Sequence, residues 1–390
     1  MKVLMINSVC GIRSTGRICT DIAEQLRSEG YDCRIAYGRE SVPERYQAYG
    51  LRVGSECGVR LHGAQARLLD TAGFGSRRAT RRLVAQIREY DPDIIHLHNL
   101  HGYYLDVETL FAYLKEAGKP VVWTMHDCWP FTGHCPHFTV ARCDKWKTGC
   151  HHCPEKGRYP ASLWLDRSRE NFERKKKAFT GLDRLTLVAP SRWLAGLTRE
   201  SFLKEYPVEV IPNGIDLNVF RPTAGDFRQR YHLEDKTIVL GAASAWDDRK
   251  GLGDLVKLAG LLGGEYAVVA VGVTGKQKQA LPDNIIAIAR TESPRELAEI
   301  YTAADVFVNP TYEDNYPTVN LEAQACGTPV ITYRTGGSVE SVPENCIVPR
   351  CDVEALAEKI RSGTARCKSD LEPGREIMLE RYLTLYRQLI

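Results

Sequence analysis

The chain contains the stretch Tyr312-Glu-Asp-Asn-Tyr-Pro-Thr-Val-Asn-Leu-Glu-Ala-Gln-Ala-Cys-Gly-Thr-Pro-Val-Ile331, in which a loop, a helix and a strand follow one another. Pro317 has the fixed φ and the missing N–H that suit the first position of a helix, and Gly327 suits a helix C-terminus. The pattern predicts a helix from about Pro317 to Cys326, followed by a buried strand that begins at Pro329.

The start of this predicted helix is a candidate phosphate site. Its first backbone N–H groups, at Thr318 and Val319, have no partner within the helix, and the helix dipole places positive charge there. Glu322 lies one turn further along the same face, where a carboxylate can accept hydrogen bonds from hydroxyl groups. This spacing fits a diphosphate that is bonded to a ribose.

Two carboxylates in this stretch, Asp314 and Glu322, are separated by seven residues and followed by Ala-x-Ala-Cys-Gly-Thr-Pro-Val. The pattern resembles the signature of the family 4 retaining glycosyltransferases, which have the GT-B fold and use nucleotide-sugar donors. The resemblance implies that Glu322 binds the ribose and that Asp314, where the family more often has Glu, binds the donor sugar. It also implies a donor-binding set formed by the helix start and the residues before it: Asn315, Tyr316, Thr318 and Val319. The alternative is that Asp314 only caps the helix and Glu322 lies on its solvated face.

Length and composition set limits on the class of protein. The 390 residues suffice for two domains, and a net charge of +3 does not favour a nucleic-acid partner. The chain has no run of eighteen apolar residues, and its first residues turn polar too soon for a signal peptide, so we expect a cytoplasmic protein. The odd cysteine count, thirteen, favours thiols or metal ligands over disulfides in that compartment.

Short β-branched runs alternate with amphipathic stretches along the whole chain, which is typical of parallel sheets covered by helices. We therefore predict an α/β protein with two doubly wound, Rossmann-like domains that face each other across a cleft. The predicted domains are an acceptor-side domain, 1–187, with a Cys/His-rich insert at 128–153, and a nucleotide-sugar domain, 188–374. In the GT-B fold the final helix crosses back, so 375–390 is assigned to the first domain.

Basic residues in the second half are candidates for binding the donor phosphates. Arg249 and Lys250 stand before Gly251 in a segment that follows a predicted strand and opens a helix. The segment resembles the family's Lys-Gly element, which holds the donor diphosphate, although Ser244 stands near the place of the family's earlier Arg. The resemblance implies that both side chains neutralise the leaving diphosphate; the alternative is ordinary surface charge.

Two segments of the first half resemble other parts of the family's site. The loop that contains Gly16 is similar to the glycine-bearing loop beneath the donor phosphates and the acceptor, and Arg13 is a candidate second contact. His126 follows a predicted strand and resembles the family's cleft histidine, which implies that it touches the donor sugar or guides the acceptor, with Asp127 beside it. The alternatives are a simple tight turn and a structural histidine.

The predicted insert is rich in cysteine and histidine. Cys150-His-His-Cys153 has the spacing of a metal knuckle, and Cys135 with Cys143 can complete four thiolates around a structural zinc ion. Unligated thiols with buried histidines, or disulfides, are the alternatives. The predicted diphosphate site itself needs no metal.

Two basic stretches, Arg77–Arg82 and Arg174–Lys177, fall in the predicted acceptor-side domain. They would suit a phosphate-bearing lipid acceptor at the inner face of the plasma membrane, although charge runs are usually solvated. The sequence predicts a retaining glycosyltransferase that moves a sugar from a UDP- or GDP-sugar to a glycan or lipid-linked acceptor, in bacterial surface polysaccharide synthesis. A nucleotide-sugar 2-epimerase of the same fold and a non-catalytic nucleotide-sugar-binding protein are the alternatives.

Overall fold

The computed structural model describes residues 1–363 and 374–390, so positions 364–373 of the predicted second domain lie outside the described residues. The chain forms two compact units. Met1–Pro212 together with Leu379–Ile390 form unit 1, and Asn213–Met378 form unit 2. None of the described helices is both long enough and apolar enough to cross a membrane.

Unit 1 is built on a parallel sheet of seven described strands, in the order β3-β2-β1-β4-β5-β6-β7. The strands are β1 Lys2–Asn7, β2 Asp32–Tyr37, β3 Gly50–Arg52, β4 Ile94–Leu97, β5 Val121–Thr124, β6 Leu185–Ala189 and β7 Val208–Val210. The helices are α1 Arg13–Ser28, α2 Glu56–Leu69, α3 Arg77–Tyr90, α4 Val107–Ala117, α5 Ser168–Phe179 and α6 Arg192–Glu200.

Unit 2 is built on a second parallel sheet, with six described strands in the order β10-β9-β8-β11-β12-β13. The strands are β8 Thr237–Ala242, β9 Tyr266–Val271, β10 Ile285–Ile288, β11 Val306–Asn309, β12 Val330–Tyr333 and β13 Ile347–Val348. The helices are α7 Phe227–Arg230, α8 Leu252–Leu261, α9 Gly275–Ala280, α10 Pro294–Ala303, α11 Thr318–Ala325 and α12 Val353–Arg361, and α13 Arg375–Leu389 follows.

The strand order of each sheet reverses direction beside its first strand in sequence. In unit 1 the chain moves outward from β1 through β2 to β3 and then returns to the other side at β4; in unit 2, β8 and β11 stand in the same relation. Ligands of open parallel sheets bind beyond the carboxyl ends of the strands at such switch points. The predicted fold class, α/β with two doubly wound parallel sheets, is confirmed.

The units do not divide at the predicted position after residue 187. β6 pairs with β5, and β7 pairs with β6 through Leu187 and Val208, so both strands belong to the first sheet and unit 1 continues to Pro212. Near the other end of the chain, the hydroxyl groups of Tyr382 and Tyr386 on α13 hydrogen-bond to Thr124 and His96 in unit 1.

The segment between β5 and α5 contains no strand among its described residues, only short 3₁₀ turns at Trp129–Phe131 and Lys145–Lys147. It is nevertheless part of the core of unit 1. Four of its aromatic side chains are at most 4% exposed, namely Trp129, Phe131, Phe138 and Trp146. The predicted insert is therefore a packed element of unit 1.

Candidate functional site

The loop between β11 and α11 carries the residues that the sequence singled out. α11 begins at Thr318, one residue later than predicted, because Pro317 has an extended ψ of 117° and precedes the first turn. It ends at Ala325, one residue earlier than predicted, and Gly327 follows with φ +87°. No side chain caps the start of α11, so the alternative in which Asp314 is a helix cap does not describe this loop.

Lys250 and Asp314 lie side by side. Lys250 Nζ donates to Asp314 Oδ2 at 2.6 Å, and their side chains are 27% and 15% exposed. Backbone hydrogen bonds hold the loops that carry these two residues. Tyr312 N donates to Arg249 O at 2.7 Å, and Gly337 N donates to Asp314 O at 3.2 Å. The structure thus brings together one of the two predicted phosphate-binding cations and the predicted sugar-binding carboxylate.

Arg249 has a different partner. Its guanidinium donates to Asp247 Oδ2 at 2.7 Å, and its backbone N–H donates to the other oxygen of the same carboxylate. Burial raises the pKa of Asp247, but the charge and hydrogen bonds of Arg249, together with the charge of Lys250, lower it overall. Part of the guanidinium of Arg249 is thus used by Asp247.

Gly251 is required where these two loops meet. It has φ +76°, and a Cβ at this position would lie 2.0 Å from the carbonyl oxygen of Pro310. Only glycine permits both this left-handed conformation and this approach, which sets Lys250 against the loop after β11. The Lys-Gly pair in the sequence pointed to phosphate binding but not to this packing role.

Glu322 is held on α11 by a buried tyrosine. Tyr301 on α10, with no exposed surface, donates its hydroxyl to Glu322 Oε2 at 3.1 Å. Glu322 is itself half-buried, so the alternative of a freely solvated side chain does not describe it. Tyr301 was missed by the sequence analysis, because it lies twenty-one residues from Glu322 on another helix.

The remaining predicted donor-site residues lie at the helix start. Thr318 and Val319 are half-buried, while Asn315 and Tyr316 are buried. Asn320, which was not predicted, fixes the helix on the sheet because it accepts from Asn309 Nδ2 at 2.8 Å and donates to Ser341 Oγ at 2.8 Å.

In unit 1, Gly16 lies inside a helix, not in a loop. α1 begins at Arg13. Gly16 is therefore in the first turns of α1, where its carbonyl accepts from Gly11 N and a Cβ would lie 3.1 Å from Val9. Arg13 is 68% exposed and pairs with Glu40 at 2.7 Å. Glycine is needed at position 16 because α1 packs closely on the loop that precedes it.

His126 follows β5, is half-buried, and lies against the buried ring of His98. Its Nε2 is 3.0 Å from Nδ1 of His98, and the two rings are nearly parallel. Burial lowers the pKa of His126 to about 4, so the ring is neutral near pH 7. His98 was missed, although the signal was present: His96-Leu-His98 straddles the end of β4, the neighbouring strand.

Asp127 is hydrogen-bonded to a second unpredicted histidine. His101 Nε2 is 2.8 Å from Asp127 Oδ2, and His101 Nδ1 is 3.0 Å from the hydroxyl of Tyr159. Burial raises the pKa of Asp127, but the charge and the hydrogen bond of His101 lower it overall. The two residues follow neighbouring parallel strands, β4 and β5, at the same edge of the sheet, which is why they meet.

The basic stretch at Arg174–Lys177 is not one exposed face. Arg174 makes two hydrogen bonds to Glu108, at 2.8 and 2.7 Å, and Lys175 is 1% exposed. The four arginines of Arg77–Arg82 are exposed, and Arg77 also pairs with Glu108.

The four predicted zinc ligands line one pocket in unit 1: Cys135, Cys143, Cys150 and Cys153. Every cysteine among the described residues is a free thiol. Within residues 1–363 and 374–390, no group of three or more His, Cys, Asp or Glu side chains is arranged so that it could hold a metal ion. The predicted zinc site is thus not confirmed, although the donor set itself is of the type that zinc prefers.

The sequence and the fold were compared with known proteins. Residues 15–219 match the family Glycosyltransferase Family 4, and residues 225–365 match Glycosyl transferases group 1. WcaC of Escherichia coli (strain K12), a glycosyl transferase assigned to colanic acid biosynthesis, is 25% identical over 100% of both chains. A D-inositol 3-phosphate glycosyltransferase of Salinispora arenicola (strain CNS-205) is 32% identical over 35% of this chain and 36% of its own.

Solved structures of similar fold include glycosyl-transferring enzymes. Sucrose-phosphate synthase from Thermosynechococcus elongatus superposes with a TM-score of 0.71 at 18% identity, covering 100% of this chain and 98% of its own. Anabaena HepE in complex with UDP superposes with a TM-score of 0.69 at 14% identity, covering 100% of both chains. The chain therefore belongs to Glycosyltransferase Family 4 and is a glycosyltransferase with the GT-B fold.

Proposed function

We propose that the protein is a retaining glycosyltransferase that transfers a sugar from a nucleoside diphosphate sugar to a glycan or lipid-linked acceptor in bacterial surface polysaccharide synthesis. The observation that carries the proposal is the Lys250–Asp314 pair beside the start of α11. A fixed ammonium and unpaired helix N–H groups next to each other suit a diphosphate that gains charge as it leaves. The full-length similarity to WcaC supports the pathway.

In this proposal unit 2 binds the donor, a UDP- or GDP-sugar. Lys250 and the N–H groups of Thr318 and Val319 bind the diphosphate, Glu322 binds the ribose, and Asp314 binds hydroxyl groups of the sugar. Tyr301 keeps the Glu322 carboxylate in place through its hydroxyl. The charge on the leaving diphosphate is met by protein groups, so this site requires no metal ion.

Unit 1 handles the acceptor and the reacting sugar carbon in this proposal. His126 is neutral near pH 7 and keeps hydrogen-bonding capacity without adding charge, since burial lowers its pKa to about 4. Asp127 is oriented by His101. No side chain is assigned as a covalent nucleophile; retention follows from attack on the face that the diphosphate leaves, with the acceptor proton taken by the leaving phosphate.

If the acceptor is lipid-linked, the protein works at the cytoplasmic face of the membrane that holds this lipid. The exposed arginines at Arg77–Arg82 would then bind anionic headgroups. The buried Lys175 and the paired Arg174 do not contribute to such a surface.

The test is to screen UDP- and GDP-sugars by thermal shift and then incubate the stabilising donor with and without polysaccharide-repeat or lipid-linked acceptors. A new glycosidic bond with the anomeric configuration of the donor supports the proposal. Product of inverted configuration contradicts retention, and formation of a 2-epimeric sugar without acceptor supports the epimerase instead. Binding without any turnover would leave only a nucleotide-sugar-binding protein.

A further inference from the structure

The segment between β5 and α5 places four thiols around one pocket. Cys135, Cys143, Cys150 and Cys153 share this pocket with the aromatic side chains of Phe138 and Trp146, and its lining contains no carboxylate. The four thiols lie in a segment that contains no strand and whose only helical elements are the 3₁₀ turns at Trp129–Phe131 and Lys145–Lys147. Soft sulfur donors without carboxylates are the ligand set of structural zinc sites.

One of these thiols already has the hydrogen bond expected of a ligating thiolate. Gly133 N donates to Cys150 Sγ at 3.2 Å. Gly133 is packed so tightly that a Cβ would lie 2.0 Å from the carbonyl oxygen of Ser168 and 2.8 Å from Cys150 Cβ. The backbone N–H is therefore held on the sulfur atom, where it stabilises negative charge.

A buried lysine lies on α5, next to this segment. Lys175 is 1% exposed, and its Nζ donates to the carbonyl oxygens of Trp129 and Thr132 at 2.8 and 3.0 Å. Among the described residues it forms no ion pair with a carboxylate, and burial lowers the pKa of Lys175 to about 7, although the charges of Cys150, Cys135, Asp127 and Asp70 act in the opposite direction. A negatively charged group near Lys175 would favour the charged form of its amine.

A zinc ion with four thiolates carries a net charge of about −2. Lys175 on one side can balance part of this charge. Lys145 lines the pocket and donates to the carbonyl oxygens of His151 and His152 at 3.0 and 3.1 Å, which places a second ammonium group beside the thiols.

We propose that Cys135, Cys143, Cys150 and Cys153 bind one structural zinc ion, with Lys175 and Lys145 as its charge-balancing neighbours. The described side chains are not yet arranged to hold an ion, so binding must draw the four sulfur atoms to about 2.3 Å from the metal. The proposal does not depend on the sugar donor or the acceptor, because the pocket lies wholly within unit 1.

A bound zinc ion would cross-link the turns of this segment, which hydrogen bonds connect to the rest of unit 1. Cys153 N donates to Asp166 Oδ2 at 2.6 Å, and Asp166 also accepts from the backbone of Ser168, the first residue of α5. The same segment carries Tyr159 to His101. Metal binding would thus fix the loop that holds the His101–Asp127 pair.

The test uses the full chain, purified under reducing conditions without chelator, and measures bound metal by inductively coupled plasma mass spectrometry. We expect about one zinc per chain, lost in Cys150→Ser/Cys153→Ser and retained in Cys57→Ser, whose exposed thiol is the matched control. Cobalt-substituted protein should show the visible spectrum of a tetrahedral tetrathiolate site.

Wild-type protein also provides a test that does not depend on the folding of variants. Titration with an organomercurial should release the zinc as the four thiols react, while a nitrogen-only or carboxylate site would not follow thiol modification. Absence of stoichiometric zinc, a disulfide among these cysteines in the reduced preparation, or zinc retained in the double variant would overturn the proposal. A cobalt spectrum with three sulfur ligands would overturn the four-thiol set in favour of His134, whose buried Nε2 lacks a hydrogen-bond partner.

Discussion

Replacing Lys250 with Met tests the diphosphate site most directly. The Lys250 ammonium is held at 2.6 Å from Asp314 and is 27% exposed, so it acts in a partly screened environment. A unit charge about 4 Å from a phosphate oxygen is worth about 4 kcal/mol at an effective dielectric constant near 20. Asp314 offsets part of this attraction, which leaves about 2 to 3 kcal/mol.

This free energy corresponds to a roughly 30- to 150-fold rise in the Kd of the nucleoside diphosphate. The assay is isothermal titration of wild-type and Lys250→Met protein with UDP and GDP, which needs neither the sugar nor the acceptor to be known. Lys257→Met is the matched control, because Lys257 also pairs with an aspartate, Asp254 at 3.0 Å, but is 69% exposed on α8.

The control should bind the nucleotide as the wild type does, and both variants should keep the wild-type circular dichroism. A Kd that changes less than about threefold in folded Lys250→Met protein would refute the assignment of Lys250 to the diphosphate. A similar loss in Lys257→Met would show that the effect is one of net charge on unit 2 and not of this site.

Three further predictions concern the two units. Tyr301→Phe should raise the Kd of the nucleotide a few-fold, because it removes only the hydrogen bond that orients the Glu322 carboxylate, whereas Glu322→Gln should raise it roughly tenfold or more. Titration calorimetry measures both. The reverse order would contradict a ribose contact at Glu322. Gly251→Ala should lower the free energy of unfolding by at least about 2 kcal/mol, because a methyl group would lie 2.0 Å from Pro310 O at φ +76°. Gly253→Ala, with open space around it, should not lower it. Equal midpoints of urea unfolding would show that the loop relaxes at no cost. His126 is half-buried, and its pKa is lowered to about 4 from an unfolded value near 6.5. Its contribution to stability is therefore complete above about pH 6.5 and is lost as the pH falls towards 4. His126→Gln should flatten the fall in Tm across this window, and an unchanged slope would contradict a lowered pKa in the folded state.

The local parts of the fold were predictable from the residues alone. The alternation of short β-branched runs with amphipathic stretches predicted parallel sheets covered by helices, and the two sheets agree with it. The start of α1 carries no such local signal, because Arg13 enters the helix with φ +57°.

The candidate site was predictable only in part. Asp314, Glu322 and the helix start between them lie within nine residues of one another, so the sequence shows their spacing directly. Their roles in binding the donor sugar and the ribose came from the family resemblance. Zinc ligation by the four cysteines remains a prediction from spacing, to which the structure adds a shared pocket and the buried Lys175.

By itself, the sequence determined the two sheets, the helix after Asp314 and the family, because periodicity and short motifs lie within a few residues of one another. Only the tertiary structure decided that Lys250 meets Asp314, that Tyr301 holds Glu322 and that unit 1 continues to Pro212. The physical reason is distance along the chain. Lys250 and Asp314 are 64 residues apart, and such a pairing depends on which strands lie side by side, which no local pattern encodes.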